Sequence, residues 1–158
     1  MSTISFRCIE ETNESSPSDS PYFLIYVGNS QTLKSDVQRV RRQSWDDAVD
    51  AGEPTRTATV NFPTGGFNLV LVALLEEDWD NDLTTAKVNS IRDSMNNLDT
   101  LLQPGVLETM VPQFALTFAN SISSSCVNDD LIKMRRVFNN QTLNFVGDGG
   151  HYQVAFKA

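Results

Sequence analysis

The sequence predicts a mainly β fold into which a helical hairpin is inserted. Three observations carry that expectation. Short apolar segments with strand-like spacing recur from Ile4 to Phe62 and again from Leu143 to Phe156. One stretch, Leu69 to Leu75, is an unbroken run of Leu, Val and Ala. Between Thr84 and Ser125 the apolar period lengthens to steps of three and four, the repeat of a helix face.

Taken in order, Ile4 to Ile9 alternates apolar and polar residues, as a half-buried strand does. Glu10 to Ser20 (EETNESSPSDS) is polar and acidic, with Pro17 opposing regular structure. Long loops without structure of their own are often functional, and this one offers oxygen ligands from Glu11, Asn13, Glu14 and Asp19. Pro21 to Val27 is a second strand, stopped at Gly28-Asn29.

Gln31 to Asp50 supports two readings. Ser35 caps a helix carrying Val37, Val40 and Val49, or else Val37 and Trp45 occupy strand positions. Lys34, Arg39, Arg41 and Arg42 form a basic patch there, and such clusters ordinarily make a solvated face. Ala51 to Pro54 is a turn, and Thr55 to Phe62 is a strand with Ala58, Val60 and Phe62 on one face. Leu69 to Leu75 follows Pro63-Thr64-Gly65-Gly66 and is too short to span a membrane. A run so short and branched is a strand buried on both faces, hence central in a sheet.

Val88, Ile91, Met95, Leu98 and Leu102 then predict an amphipathic helix over Thr84 to Leu102, N-capped by Asp82 or Thr84. Gln103-Pro104-Gly105 ends it. Met110, Phe114, Phe118 and Ile122 predict a second helix, with Pro112 in its first turn and Ser121 to Ser125 as a polar stop. This apolar stripe is core packing rather than a ligand groove. Lys133 to Phe138 alternates only loosely. Leu143 to Val146, the Gly147-Asp148-Gly149-Gly150 turn and His151 to Phe156 form a closing hairpin, with Tyr152, Val154 and Phe156 on one face.

At 158 residues the chain is sized for one domain with a sizeable core. A net charge of −8 speaks against nucleic acid, whose phosphates need a basic face. It also opposes unaided docking on anionic lipid unless bound cations first cancel the acidic residues. No apolar run nears the ~18 residues of a transmembrane helix, so no transmembrane segment is expected. Met1-Ser2-Thr3-Ile4 shows neither a basic n-region nor an apolar h-region. The expectation is therefore a chain without a signal peptide, cytoplasmic or exported by a non-classical route, and a mature chain with its signal removed would look the same apart from Met1. Cys8 and Cys126 allow either two thiols or one bridge.

The chemistry concentrates after the apolar run. Glu76-Glu77-Asp78-Trp79-Asp80-Asn81-Asp82 sets five carboxylates within seven residues, and their mutual repulsion needs a cation or solvent to relieve it. Hard oxygens at alternate positions suit Ca²⁺, which takes six to eight oxygen ligands. Asp78, Asp80 and Asp82 are the metal candidates here. Antiparallel helices bring their ends together, so the hairpin can return Asn128-Asp129-Asp130 beside the loop it left. Asp130 then joins them, as does Asp19 from the first acidic loop. The plainer alternative is a solvated acidic turn at a strand end. An EF-hand is excluded: its sixth position holds Leu83 instead of Gly and its twelfth Asn89 instead of Glu.

Catalysis finds little support. His151 is the only histidine and reads as an ordinary surface or hydrogen-bonded imidazole beside a turn. No nucleophile elbow, phosphate loop or zinc ligand set occurs. A carboxylate-dependent hydrolase stays open because Asp and Glu are plentiful. Trp79, between two aspartates, is a candidate tip residue for a membrane interface or a sugar face, or it folds back over the rim.

Several of these motifs also resemble C2 domains. Asp19-Ser20-Pro21-Tyr22-Phe23-Leu24-Ile25-Tyr26-Val27 is similar to the loop-then-strand opening of that family, with its Asp-Pro-Tyr pattern. Leu69-Val70-Leu71-Val72 running into Asp78-Trp79-Asp80 is similar to its Asp-x-Asp calcium loop. Asn128-Asp129-Asp130-Leu131-Ile132 resembles its Asp-Asp-Phe-Ile element, and Trp45-Asp46 its Asn-Pro-x-Trp-Asn stretch. The resemblance implies an eight-stranded antiparallel β-sandwich, C2-like, with Ca²⁺-binding loops at one end. The function expected is then a calcium-dependent binding or effector module, contacting a lipid headgroup, glycan or protein through the ion. A metal-free structural or interaction domain is the alternative.

Overall fold

A computed structural model describes residues 2–12, 20–40, 50–62, 69–77, 84–126 and 129–158. Its strands are β1 (Ser2–Glu10), β2 (Pro21–Asn29), β3 (Lys34–Val40), β4 (Arg56–Val60), β5 (Leu69–Glu76), β6 (Asp130–Arg136), β7 (Thr142–Gly147) and β8 (Gly150–Lys157). Between β5 and β6 lie α1 (Thr85–Asn96), a single 3₁₀ turn at Asp99–Leu102, and α2 (Leu107–Ser125). The strands form two four-stranded sheets, ordered β4-β1-β8-β7 and β3-β2-β5-β6, in which every neighbouring pair is antiparallel. The expected antiparallel sandwich with an inserted helical hairpin is what the chain adopts.

Alternation along the strands builds two cores. Phe23, Ile25 and Val27 of β2 and Val70, Val72 and Leu74 of β5 point into the sandwich, against Ile4, Phe6, Phe145, Tyr152, Val154 and Phe156 of the facing sheet. The other parity of β2 and β5, including Leu24, Tyr26, Leu71 and Leu75, points outward and meets the helices. Val88, Ile91, Met95, Phe114, Phe118 and Ile122 cover it, with Tyr26 packed against Phe114 and Phe118 at ring-centroid distances of 5.9 and 6.1 Å. Both strands are therefore buried on both faces throughout. The continuous apolar run of β5 is the sequence of a strand sandwiched between a sheet and a helical layer.

The helices refine the expectation. Thr84 is the N-cap of α1, its hydroxyl accepting from the Lys87 N–H at 3.2 Å. The expected single helix to Leu102 breaks after Asn96: the Leu98 N–H turns back to the Met95 carbonyl, and the 3₁₀ turn follows. Leu98, Leu101 and Leu102 still face the core, so the apolar period outlasts the α-helix that began it. The second helix starts at Leu107, earlier than expected, so Pro112 sits within it rather than in its first turn. It also runs through the serines to Ser125, since Ile122 and Cys126 are buried and anchor its last turn.

Two close approaches fix the layers. Gly28 faces the helical layer, and a Cβ there would lie 2.7 Å from Leu102 Cδ2. At the β6–β7 side, a Cβ on Gly147 would lie 1.8 Å from the Ile132 carbonyl oxygen, so the two sheets meet there backbone to backbone. Cys8 lies in the sandwich core and Cys126 in the helical core, both as free thiols, so of the two redox possibilities the structure has the unbridged one.

Candidate functional site

Three strand ends that border acidic segments are neighbours in one sheet. Pro21 at the start of β2 is in register with Glu76 at the end of β5, and Glu76 in turn with Asp130 at the start of β6. Hydrogen bonds join these ends. The Ser20 N–H donates to Glu76 Oε1 at 3.1 Å, and the Glu77 N–H returns to the Ser20 carbonyl at 3.0 Å. Glu76 is only 4 % exposed, so the sequence's acidic stretch begins as a buried strand residue and not as loop. Asp130 stands directly across from it, half-buried. Like charges facing each other across an antiparallel pair destabilise it unless something compensates.

A β-bulge shapes the approach to Asp130. The register slips between Leu74 and Leu75, leaving Ile132 as the extra residue of β6. Ile132 is buried in the sandwich core, whereas Met134, next but one along β6, packs with the helical core. The bulge thus breaks simple alternation, and bulges characteristically bend a strand and re-aim its end.

On the helical side of the same rim, the Tyr22 hydroxyl donates to Asp129 Oδ2 at 2.7 Å. The Asp129 N–H donates to the Cys126 carbonyl at 3.2 Å. Burial, then the bond to Asp129, pushes the Tyr22 phenol far above its ordinary value. The Cys126 thiol is raised chiefly by burial, against the opposing pull of the Tyr22 hydrogen bond and of Lys87 and Arg39 nearby. The rim thus carries cations beside its carboxylates.

Of the predicted metal ligands, only Asp130 lies within the described residues; Asp19, Asp78, Asp80 and Asp82 lie outside them, as do Trp45 and Trp79. Among the described residues no group of three or more His, Cys, Asp or Glu side chains is arranged to hold a metal ion. The sequence includes Glu76 in the acidic stretch without showing that it is a strand residue, and it does not single out Tyr22 or Cys126 as parts of this rim. Tyr22 had a signal: it shares the parity of Leu24 and Tyr26, the side from which the helices return. His151 is partly exposed, with Nε2 3.0 Å from Asn144 Oδ1, in keeping with an ordinary hydrogen-bonded imidazole. Among the described residues no helix is long and apolar enough to cross a membrane.

Comparison with family models, with characterised proteins and with solved structures finds no match.

Proposed function

We propose that the chain is a C2-like, calcium-dependent binding module that works through the acidic end of its sandwich. The observation that carries this reading is the register of Pro21, Glu76 and Asp130 across three adjacent strands. In sequence, Asp19 precedes that row by two residues, Asp78 follows it by two, and Asp130 belongs to it. Segments that are remote along the chain thereby border one rim. A Ca²⁺ ion shared by Asp19, Asp78, Asp80, Asp82 and Asp130 would relieve their repulsion and retain open coordination positions. An oxygen of a lipid headgroup, glycan or protein partner would fill those positions, making the contact ion-bridged. The eight-stranded sandwich, the form that the resemblance to C2 domains implies, supports the same reading.

The second reading is a metal-free structural or interaction domain, and one observation favours it. Asp129 and Glu76 already receive hydrogen bonds from Tyr22 and Ser20. Thermal melting separates the two. Calcium at a hundredfold excess over Kd should stabilise the fold by about 2.7 kcal/mol relative to chelator. Identical melting curves with and without calcium would establish the metal-free reading.

A further inference from the structure

A second, cationic feature lies away from the acidic rim. β6 and β7 are the terminal strands of their respective sheets and run side by side at one flank of the sandwich. Between them is an open groove of about 650 Å³, lined by Lys133, Met134, Arg135, Arg136, Asn144 and Val146. In a chain with net charge −8, three cations in this one lining are unexpected.

They are not equivalent. Arg136 is neutralised by a two-point ion pair with Glu108, at 2.7 and 2.9 Å, and its guanidinium lies 4.6 Å from the Phe138 ring centroid. Lys133 and Arg135 form no ion pair among the described residues. Arg135 Nη1 donates to the Asn144 carbonyl at 2.9 Å, which holds the guanidinium across the groove and leaves its other N–H groups available. Lys133 is exposed, and the outward residues of β7, Thr142, Asn144 and Val146, carry no negative charge. Lys133 and Arg135 are two residues apart on one strand, which separates their Cα atoms by about 7 Å. A preoriented guanidinium beside a mobile ammonium matches phosphate oxygens, the guanidinium by its fork and the ammonium as a point charge.

We propose that the β6–β7 groove is a binding site for a phosphorylated ligand, with Lys133 and Arg135 each taking one of two phosphate groups and the Asn144 amide flanking them. The spacing favours a bisphosphate over a single phosphate. The same chemistry occurs on a soluble sugar phosphate and on a phosphoinositide headgroup. The site does not depend on the calcium reading.

The test is calorimetric titration of the whole chain with a hexose bisphosphate and with inorganic phosphate, alongside sedimentation with phosphatidylcholine vesicles, with or without a phosphoinositide. Chelator is present throughout, so the outcome is independent of any calcium site. The bisphosphate should bind more tightly than inorganic phosphate, and binding should weaken as salt rises. Lys133→Gln/Arg135→Gln, which removes both charges while leaving polar side chains, should weaken it about tenfold. Arg7→Gln, on another strand, should leave it unchanged. Melting curves of both variants check that the fold is retained. Vesicle binding without sugar-phosphate binding, if lost in the double variant, supports the site and assigns it to the lipid headgroup. Absence of binding to every probe, or equal binding by the double variant and the parent chain, overturns the proposal.

Discussion

Ile91 is fully buried on the face of α1 that covers the β3-β2-β5-β6 sheet, and it offers a way to ask what the helical hairpin does for the fold. An aspartate there forfeits the roughly 1.5–3 kcal/mol of a buried large aliphatic side chain. It also forces either a desolvated carboxylate, costing several kcal/mol more, or displacement of α1. If the whole helical hairpin left with it, Tyr22, Leu24, Tyr26, Val37, Leu69, Leu71 and Leu75 would lose their cover. Seven such side chains represent on the order of 10–20 kcal/mol of burial, comparable to or larger than the roughly 5–15 kcal/mol net stability of an ordinary domain. The sandwich therefore cannot survive the loss of its helical layer. Urea unfolding followed by far-UV circular dichroism for the helices and near-UV dichroism for the tyrosines should show one coincident transition in the parent chain. Ile91→Val should shift that transition by about 0.5–1.5 kcal/mol and keep it single. Ile91→Asp should abolish both signals together. Loss of the helical signal while the tyrosine signal persists would refute the reasoning and make the hairpin a separable attachment.

Two further predictions test other layers of the account. Gly147→Ala sets a methyl against the Ile132 carbonyl, a backbone clash that no side-chain rotation relieves, and should cost about 2 kcal/mol or more by chemical denaturation. Gly105→Ala, at φ +86° with open space around it, should cost only about 1–2 kcal/mol; equal costs would mean that the sheets do not approach as described. Alkaline pH should destabilise the fold, because Tyr22 and Tyr26 are held protonated by burial, Tyr22 also by its bond to Asp129. In the unfolded chain both ionise near pH 10, so their contribution is complete below that pH and declines as pH rises above it. Melting curves at increasing pH should show a shallower alkaline decline for Tyr22→Phe, and an unchanged slope would contradict the assignment.

The strands that sequence reveals most clearly are those with the simplest surroundings. Leu69 to Leu75 announced a doubly buried strand because every position is covered, from one side by the facing sheet and from the other by helices. β3 was ambiguous for a physical reason: Val37 faces the helical layer and Val40 the sandwich core, so two apolar residues three apart mimic a helix while lying on opposite faces. β6 alternated only loosely because the bulge at Ile132 shifts its parity halfway along. The ends of α1 and α2 were blurred because apolar residues keep facing the core through the 3₁₀ turn and the serine-rich last turn. At the acidic rim, the return of Asp129 and Asp130 to the edge that β5 left was readable from the hairpin's logic. That Glu76 belongs to the strand, and that Tyr22 engages Asp129, depends on tertiary neighbours that no local pattern encodes.

The central claim, a calcium site at the acidic rim, is tested most directly by calorimetric titration of the chain with Ca²⁺. The account predicts saturable binding at millimolar Ca²⁺ or below, with Mg²⁺ substituting poorly because it demands tighter octahedral geometry. Asp80→Asn and Asp130→Asn should each weaken binding, while leaving the metal-free melting temperature unchanged or raised, since each removes a repelling charge. Absence of binding at millimolar Ca²⁺, or undiminished binding in both variants, would contradict it.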